Sequence, residues 1–427
     1  IGLHAPYGHR AAGDNAVEKL LQMYRLAAAT GTFINMDMEE YKDLELTIDV
    51  FKALLDRDEF LTYRAGIVLQ AYLPDARGRL ADLTEWSQER RERGGAPIKV
   101  RLVKGANLSM ELVDAIEHGW ELTVEPSKEA TDANYMTVLS DALVPERLDS
   151  VNIGVAGMNL YTLSYALTLM EERGIGMDGR VDVEMLAGMA TPQSRAVRDS
   201  IGPLLYYVPV VRPTEYDVAV AYLVRRLEEN AAPANFMSNV FDLDKDSVRG
   251  HEAANFRAAA ELMESGDLHF GPNRMQDRHT PATIAAGFDN APDTDPSLMA
   301  NIVWAQEIAG RMESSTLGTG IAHVISTPEE IEDVIARVRA AQGAWAAKSG
   351  AERAAVLRAV GQGFENHRGE LIEVAGSEAG KLFDQGDVEV SEATDFALYY
   401  ASLAEALDDL DGATFKPVHT TLVTPPW

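Results

Sequence analysis

Four polar residues between positions 222 and 229 concentrate the chemistry of this sequence. Tyr222, Arg225, Arg226 and Glu229 follow the spacing i, i+3, i+4, i+7, which sets all four on one side of a helix expected over 217–232. Two neighbouring guanidiniums beside a phenol form a clamp for a carboxylate or a phosphate, because the guanidinium fork matches a planar anion with parallel hydrogen bonds. A solvated helix face with an Arg225–Glu229 ion pair fits the same spacing, and the pattern alone leaves both readings open. Val218, Val220, Ala221, Val224 and Leu227 lie on the opposite side and are expected to pack against the neighbouring barrel.

A second concentration lies in PIKVRLVKG (97–105), where Arg101 interrupts an apolar run and Lys104-Gly105 closes it. Burying an unpaired guanidinium is expensive, so Arg101 requires an anionic or strongly accepting partner. Asp37 and Glu184 each end another expected strand, and either could bridge Arg101 structurally. The same two carboxylates could instead face each other as the acid and base of a glycosidase. With only 7% aromatic residues the chain is thin for a sugar-stacking cleft, so this hydrolase reading ranks second. The histidines show no metal-ligand spacing, and no metal is expected. GTGIAH (318–323) is a weak match to a dinucleotide loop and carries little weight.

These residues need elements to hold them. Short β-rich or apolar runs at 32–37, 65–73, 97–105, 151–156, 180–188 and 204–211 alternate with helical sequence such as 16–30, 44–56 and 80–95, which argues for a parallel sheet with covering helices. The runs read as apolar on both faces, favouring a closed barrel over an open sheet. Lys104 at the end of its run stands where barrel enzymes keep catalytic groups. The longer interval after 105 leaves room for an insertion around Trp120 to Pro126. Because these six runs fall short of a (βα)8 barrel and the first residue is not Met, the remaining strands are expected before Ile1, in a longer protein. Residues 1–284 are assigned to the barrel and 285–297, rich in Gly, Pro, Asp and Asn, to a linker. Residues 298–427 are expected to form four Ala-rich amphipathic helices and a terminal strand entering a turn at FKPVHTTLVTPPW.

Composition narrows the function. A net charge of −29 offers no footprint for a phosphate backbone, so no nucleic-acid partner is expected. The absence of Cys excludes thiolate nucleophiles, Cys-ligated zinc and iron–sulfur clusters from these residues. The uncharged stretch 151–170 is interrupted by Asn152, Gly154, Gly157 and Asn159 and reads as a strand feeding a helix rather than a membrane span.

INMDMEEYKD, GIVLQAYLPDA, VRLVKGAN, VEMLAGMA and AYLVRRLEENAAPANFM, in this order, resemble the proline dehydrogenase barrel of the bifunctional proline utilization A flavoenzymes, the actinobacterial branch in particular. SEAGK, VSEATDFALYYA and the closing TPPW resemble the first part of the aldehyde dehydrogenase domain that follows in those proteins. The resemblance implies an α/β fold, a partial (βα)8 barrel followed by the N-terminal helical part of an aldehyde dehydrogenase domain. It implies non-covalent FAD and oxidation of L-proline to 1-pyrroline-5-carboxylate by hydride transfer, with NAD serving the second domain. Arg225 and Arg226 would bind the proline carboxylate, Tyr207 and Tyr222 would enclose the ring, and Asp37 would lie at the substrate side. Val68, Gln70, Arg101, Lys104, Gly105 and Ala106 would contact the flavin, Arg101 near the hydride-accepting N5. Lys128, Thr131, Ala156, Asn159, Glu184, Glu229 and Phe236 would line the rest of the cofactor.

The sequence departs from the family where Asn107 replaces a common Tyr, where Met158 replaces an imidazole, and where Glu184 replaces a Gln found in some relatives. A substrate Lys and an acidic residue of the family's first strands have no counterpart, and the aldehyde dehydrogenase Cys is expected beyond Trp427. By the same resemblance the electron acceptor is a quinone, reached by peripheral membrane contact from the cytoplasm, and the protein is a homo-oligomer. A non-catalytic scaffold is the remaining alternative.

Overall fold

The computed structural model describes residues 7–208, 210–233, 235–412 and 420–424, with the side chains of Val218, Ala221 and Arg225 outside that set. Most of 415–427, expected as strand and turn, lies outside the described residues, and 420–424 carries no regular structure. The chain divides into two units, one built mainly from His9–Ala115 and Glu121–Met275, the other mainly from Gln276 onward.

The first unit holds six parallel strands paired in sequence order: β1 Asn35–Met36, β2 Gly66–Gln70, β3 Ile98–Val103, β4 Val151–Ala156, β5 Val181–Leu186 and β6 Leu205–Tyr207. The sheet curls into a half-barrel, and helices Leu44–Leu55, Ala76–Glu92, Lys128–Ala142, Leu160–Glu172 and Thr191–Ile201 supply crossovers. β2 and β4 are buried at every position, as strands covered on both faces must be. Side chains such as Ile67, Leu69, Val100, Leu102, Ile153, Val155, Val181 and Val183 join helix residues Phe51, Leu54 and Leu83 in one core.

Two expectations are corrected and one element is added. β6 is exposed throughout, so the set of doubly buried strands stops at β5. In helix Tyr216–Ala231, Val220, Val224 and Leu227 are exposed, so this apolar side is not packed on the sheet among the described residues. The stretch after 232, to which the sequence reading assigns no element, contains a long helix, Asp246–Ser265. Ala259 of that helix, with half-buried Phe256, Ala260, Leu262 and Met263 around it, packs against Ala133 and Met136 of helix Lys128–Ala142. Phe256, Ala259, Ala260 and Met263 follow the spacing i, i+3, i+4, i+7, a short stripe that sequence reasoning left unread.

The second unit is helical. Met299–Met312, Pro328–Ala346, Gly350–Asn366 and Phe383–Ala406 match the four expected helices, and Leu317–Ile321 and Arg368–Ala379 are additional. Reciprocal capping boxes at Thr327/Glu330 and Ser349/Glu352 start two of them. GTGIAH falls largely within helix Leu317–Ile321, which lacks the strand before it that a dinucleotide loop needs. Buried Arg278 and Arg368 are neutralised by Glu365 and Asp387, with contacts of 2.7–3.1 Å. Asp387 also accepts from the backbone N–H and the hydroxyl of Thr294, tying irregular residues of 285–297 to this unit.

Candidate functional site

Period-two alternation decides which strand residues meet. Val68 pairs with Arg101, Arg101 with Gly154, Gly154 with Asp182, and Ala156 with Glu184. Lys99 and Arg101 therefore share a sheet face with Gln70, Asn152, Gly154, Ala156, Asp182 and Glu184. On that face Glu184, 2% exposed, receives Arg101 Nε at 2.6 Å and Lys99 Nζ at 2.7 Å on its two oxygens. Lys99 Nζ also reaches Asp182 at 2.8 Å. The network crosses β4 because position 154 is glycine. A Cβ there would stand 3.0 Å from Lys99 Cε and 3.2 Å from Glu184 Cδ.

Arg101 thus has the anionic partner its burial requires, and the partner is Glu184. Its guanidinium lies 4.6 Å from the centre of the Tyr207 ring, a cation–π contact. Nη1 and Nη2 make no hydrogen bond to described residues. The Tyr207 hydroxyl donates to Asp37 Oδ2 at 3.3 Å. Burial and the Asp37 charge push the Tyr207 hydroxyl pKa up, while Arg101 opposes them. The two carboxylates expected of a glycosidase are not arranged as an acid–base pair: cations hold both oxygens of Glu184, and Asp37 is engaged with Tyr207.

The C-terminal end of β3 carries a second cluster. Lys104 Nζ and Lys128 Nζ approach the two oxygens of Asp132 at 2.6 and 2.5 Å. Burial depresses Lys104 to a pKa of about 8, against the pull of Asp132 and with help from Lys128. Burial raises the Asp132 carboxyl, but the two lysines outweigh it and the net shift is downward. Gly105 adopts a φ of 129°, and a Cβ would stand 2.6 Å from Cδ1 of Tyr72. Only glycine allows this bend, which leaves Ala106 exposed.

Helix Tyr216–Ala231 carries the third. Arg226 binds Glu229 at 2.7 Å and lies 5.4 Å from the Tyr222 ring centre, while its Nε is buried without a partner. Among the described side chains Glu229 pairs with Arg226, three residues before it, and the expected Arg225–Glu229 pair lies outside the described residues. Arg225 lies outside the described side chains. Burial raises the Glu229 carboxyl and Arg226 lowers it, with a net upward shift. Tyr222 also raises the Tyr207 pKa, which places the helix cluster within electrostatic reach of β6.

Other expected residues are occupied locally. Asn159 Oδ1 caps helix Leu160–Glu172 by accepting from Tyr161 N and Thr162 N. The Thr131 hydroxyl donates to the Ser127 carbonyl. Phe236 is 3% exposed in a small core with Ala190, Met237 and Val240. Met158 packs beside them, and its sulfur accepts from Leu186 N. Ala156 accepts the Tyr135 hydroxyl through its carbonyl, and Asn107 opens helix Leu108–His118 through its own. Lys99, Asp132 and Asp182 were missed by sequence reasoning. The signal for Lys99 and Asp182 was present, since K-x-R in β3 and D-x-E in β5 each set two charges on one face.

The donor set suits a flavin. Buried Gln70 donates through Nε2 to the carbonyls of Met38 and Glu39, and its Oε1 is left without a partner. An orphaned acceptor and the free guanidinium nitrogens of Arg101 stand on one face of the sheet, as complements to a ring system with imide and carbonyl groups. Among the described residues no His, Cys, Asp or Glu group could hold a metal ion.

Comparison with known proteins identifies the family. Residues 4–239 match the family described as proline dehydrogenase, and residues 312–425 match the aldehyde dehydrogenase family. The bifunctional protein PutA of Salmonella typhimurium is 27% identical over 464 aligned positions, covering 100% of this chain and 34% of that protein. The chain thus spans about a third of the length of the curated relatives it matches. The structure of proline utilization A from Corynebacterium freiburgense superposes with a TM-score of 0.80 at 39% identity, covering 96% of this chain and 38% of that one. That of Bdellovibrio bacteriovorus proline utilization A, inactivated by N-propargylglycine, gives 0.79 at 26% identity, covering 94% and 42%. With more than half of its residues matched, the chain belongs to the proline dehydrogenase family, in its bifunctional proline utilization A branch.

Proposed function

We propose that the first unit contributes an FAD-dependent L-proline dehydrogenase site. The observation that carries this reading is Arg101, pinned through Nε by buried Glu184, laid on the Tyr207 ring, and left with two nitrogens that no described residue engages. Arg226, with Arg225 beside it in sequence, supplies the cationic partner for the proline carboxylate, and Tyr222 and Tyr207 supply ring walls. Bound FAD would accept the hydride and so carry the redox chemistry. The residues bind and orient: Gln70, Arg101, Lys104, Gly105 and Ala106 hold the flavin ring and its surroundings, while Lys128 extends the basic edge through Asp132. Val68, Thr131, Ala156, Asn159, Glu184, Glu229 and Phe236 complete the cofactor lining in this reading. Asp37 fixes the Tyr207 hydroxyl.

The parent protein, in the same proposal, oxidises the product further with NAD through its aldehyde dehydrogenase domain, whose beginning corresponds to 298–427. It works as a cytoplasmic homo-oligomer and passes electrons to a quinone at the membrane surface. No helix among the described residues is long and apolar enough to cross a membrane.

The test is anaerobic addition of proline to the purified full-length protein. Flavin absorbance should bleach, and Arg226→Met should lower kcat/KM about ten- to a hundredfold, the loss of one charge-assisted hydrogen bond. A protein without bound flavin, or turnover indifferent to Arg226→Met, refutes the proposal.

A further inference from the structure

We infer that Lys99 is a positioning residue for the proposed flavin site, acting on Arg101 through Glu184. The inference rests on the flavin reading above. Lys99 itself is 4% exposed. It touches Glu184 and Asp182 and stands 5.8 Å from the Phe33 ring centre, and Glu184 is the partner it shares with Arg101.

Its effect is transmitted by the two ends of one carboxylate. Glu184 gives Oε1 to Lys99 and Oε2 to Arg101, so the lysine fixes where the second oxygen stands and where the Arg101 guanidinium is anchored. Anchoring through Nε leaves Nη1 and Nη2 without a hydrogen bond to described residues, with the Tyr207 ring centre 4.6 Å from the guanidinium. Gly154 is the opening through which the lysine reaches across β4.

Charge balance gives the second argument. Lys99 and Arg101 oppose Asp182 and Glu184, two cations against two anions. Without Lys99, the carboxylates outnumber the cations, Glu184 is no longer shared, and the field at the free Arg101 nitrogens becomes more negative. Such a field disfavours reduced flavin, which carries more negative charge than oxidised flavin.

The experiment compares purified full-length wild type with Lys99→Met, Lys99→Arg and the double variant Lys99→Met/Glu184→Gln. Flavin-loaded Lys99→Met should lose about tenfold in kcat with KM for proline within twofold, and its flavin midpoint potential should move negative. Lys99→Arg should stay within twofold of wild type. The double variant, which removes one charge of each sign, should return the potential toward the wild-type value. An unchanged potential and kcat in Lys99→Met overturn the inference, because a merely structural lysine would alter stability without moving either.

A wild-type protein that takes up no flavin refutes the functional reading instead. The coupling is then read from unfolding temperatures of Lys99→Met, Glu184→Gln and their combination. A combined loss smaller than the sum supports the relay, and a strictly additive loss overturns it.

Discussion

Gly154→Ala isolates the opening through which the buried ion network crosses β4. The new methyl would stand 3.0 Å from Lys99 Cε and 3.2 Å from Glu184 Cδ, and closer still to Glu184 Oε1. Neither neighbour is a free side-chain end, since Glu184 is held by Arg101 and Lys99 by two carboxylates. Forcing a methyl into such a site costs about 1–3 kcal/mol. If Glu184 yields instead, a buried cation loses its partner, at about 3–5 kcal/mol for complete loss. Gly154 does not have a positive φ, so alanine adds no backbone strain and recovers about 0.4–1 kcal/mol of unfolded-state entropy. The steric and electrostatic terms win, and the net loss should be about 2–4 kcal/mol. Because the chain has two units, the measurement should be local: amide exchange of peptides spanning Val151–Ala156, monitored by mass spectrometry. At a factor of ten per roughly 1.4 kcal/mol, exchange should accelerate about thirty- to a thousandfold. Gly78→Ala is the control, since nothing lies within 4 Å of its Cβ position inside helix Ala76–Glu92, and it should stabilise by about 0.5–1 kcal/mol. Unaltered β4 protection in Gly154→Ala would refute the claim that glycine is needed for the crossing.

Further outcomes concern charge. Lys104, depressed from 10.5 to about 8 chiefly by burial, binds fewer protons folded than unfolded between those values. Stability of the first unit should therefore rise with pH through that window, and the rise should vanish from the melting profile of Lys104→Met. Glu125 has the opposite sign. Burial raises it from 4.5 to about 7, so its ionisation costs stability as pH climbs from 4.5 to 7. Glu125→Gln should gain about 1–3 kcal/mol at pH 8 and nothing at pH 4, read by urea unfolding. In the second unit, Arg368→Met removes one cation from between Glu365, which keeps Arg278, and Asp387, which keeps the Thr294 donors; with both carboxylates 1% exposed at the side chain it should cost about 3–5 kcal/mol in that unit's unfolding transition.

The interior strands were legible because β2 to β5 are apolar on the face that packs with helix residues in the core, although β3 and β5 carry Lys99, Arg101, Asp182 and Glu184 on the other face. The ends were harder. β1 spans only Asn35–Met36 within the expected 32–37, and β6 spans Leu205–Tyr207 within the expected 204–211. Helix Asp246–Ser265 escaped because its packed stripe, Phe256, Ala259, Ala260 and Met263, is short and half alanine. At the site, Arg101 was legible as a cation needing an anion, since a charge in an apolar run is a local signal. The choice of Glu184, the sharing with Lys99 and the part played by Gly154 depend on register across three strands. Each strand read alone shows only a charge or a glycine.

That register also explains why this network has to be judged as incomplete. Buried ion pairs are poor sources of stability compared with well-packed apolar side chains, because desolvation offsets most of their attraction. A polar network with an unfilled member is worse still, since the local dielectric magnifies the missing bond as much as the bonds that form. Lys99, Glu184 and Arg101 Nε are satisfied among themselves, whereas Arg101 Nη1 and Nη2 and Gln70 Oε1 are not satisfied by described residues. A ligand presenting acceptors to the guanidinium and a donor to the Gln70 oxygen would complete the network at small ordering cost, because the first three members already hold the fourth in place. Much of the binding free energy would then come from bonds the folded chain prepares but cannot close by itself. Ligand binding should accordingly protect β3 and β5 from amide exchange more than the helices of the second unit, and equal protection of both would contradict this coupling.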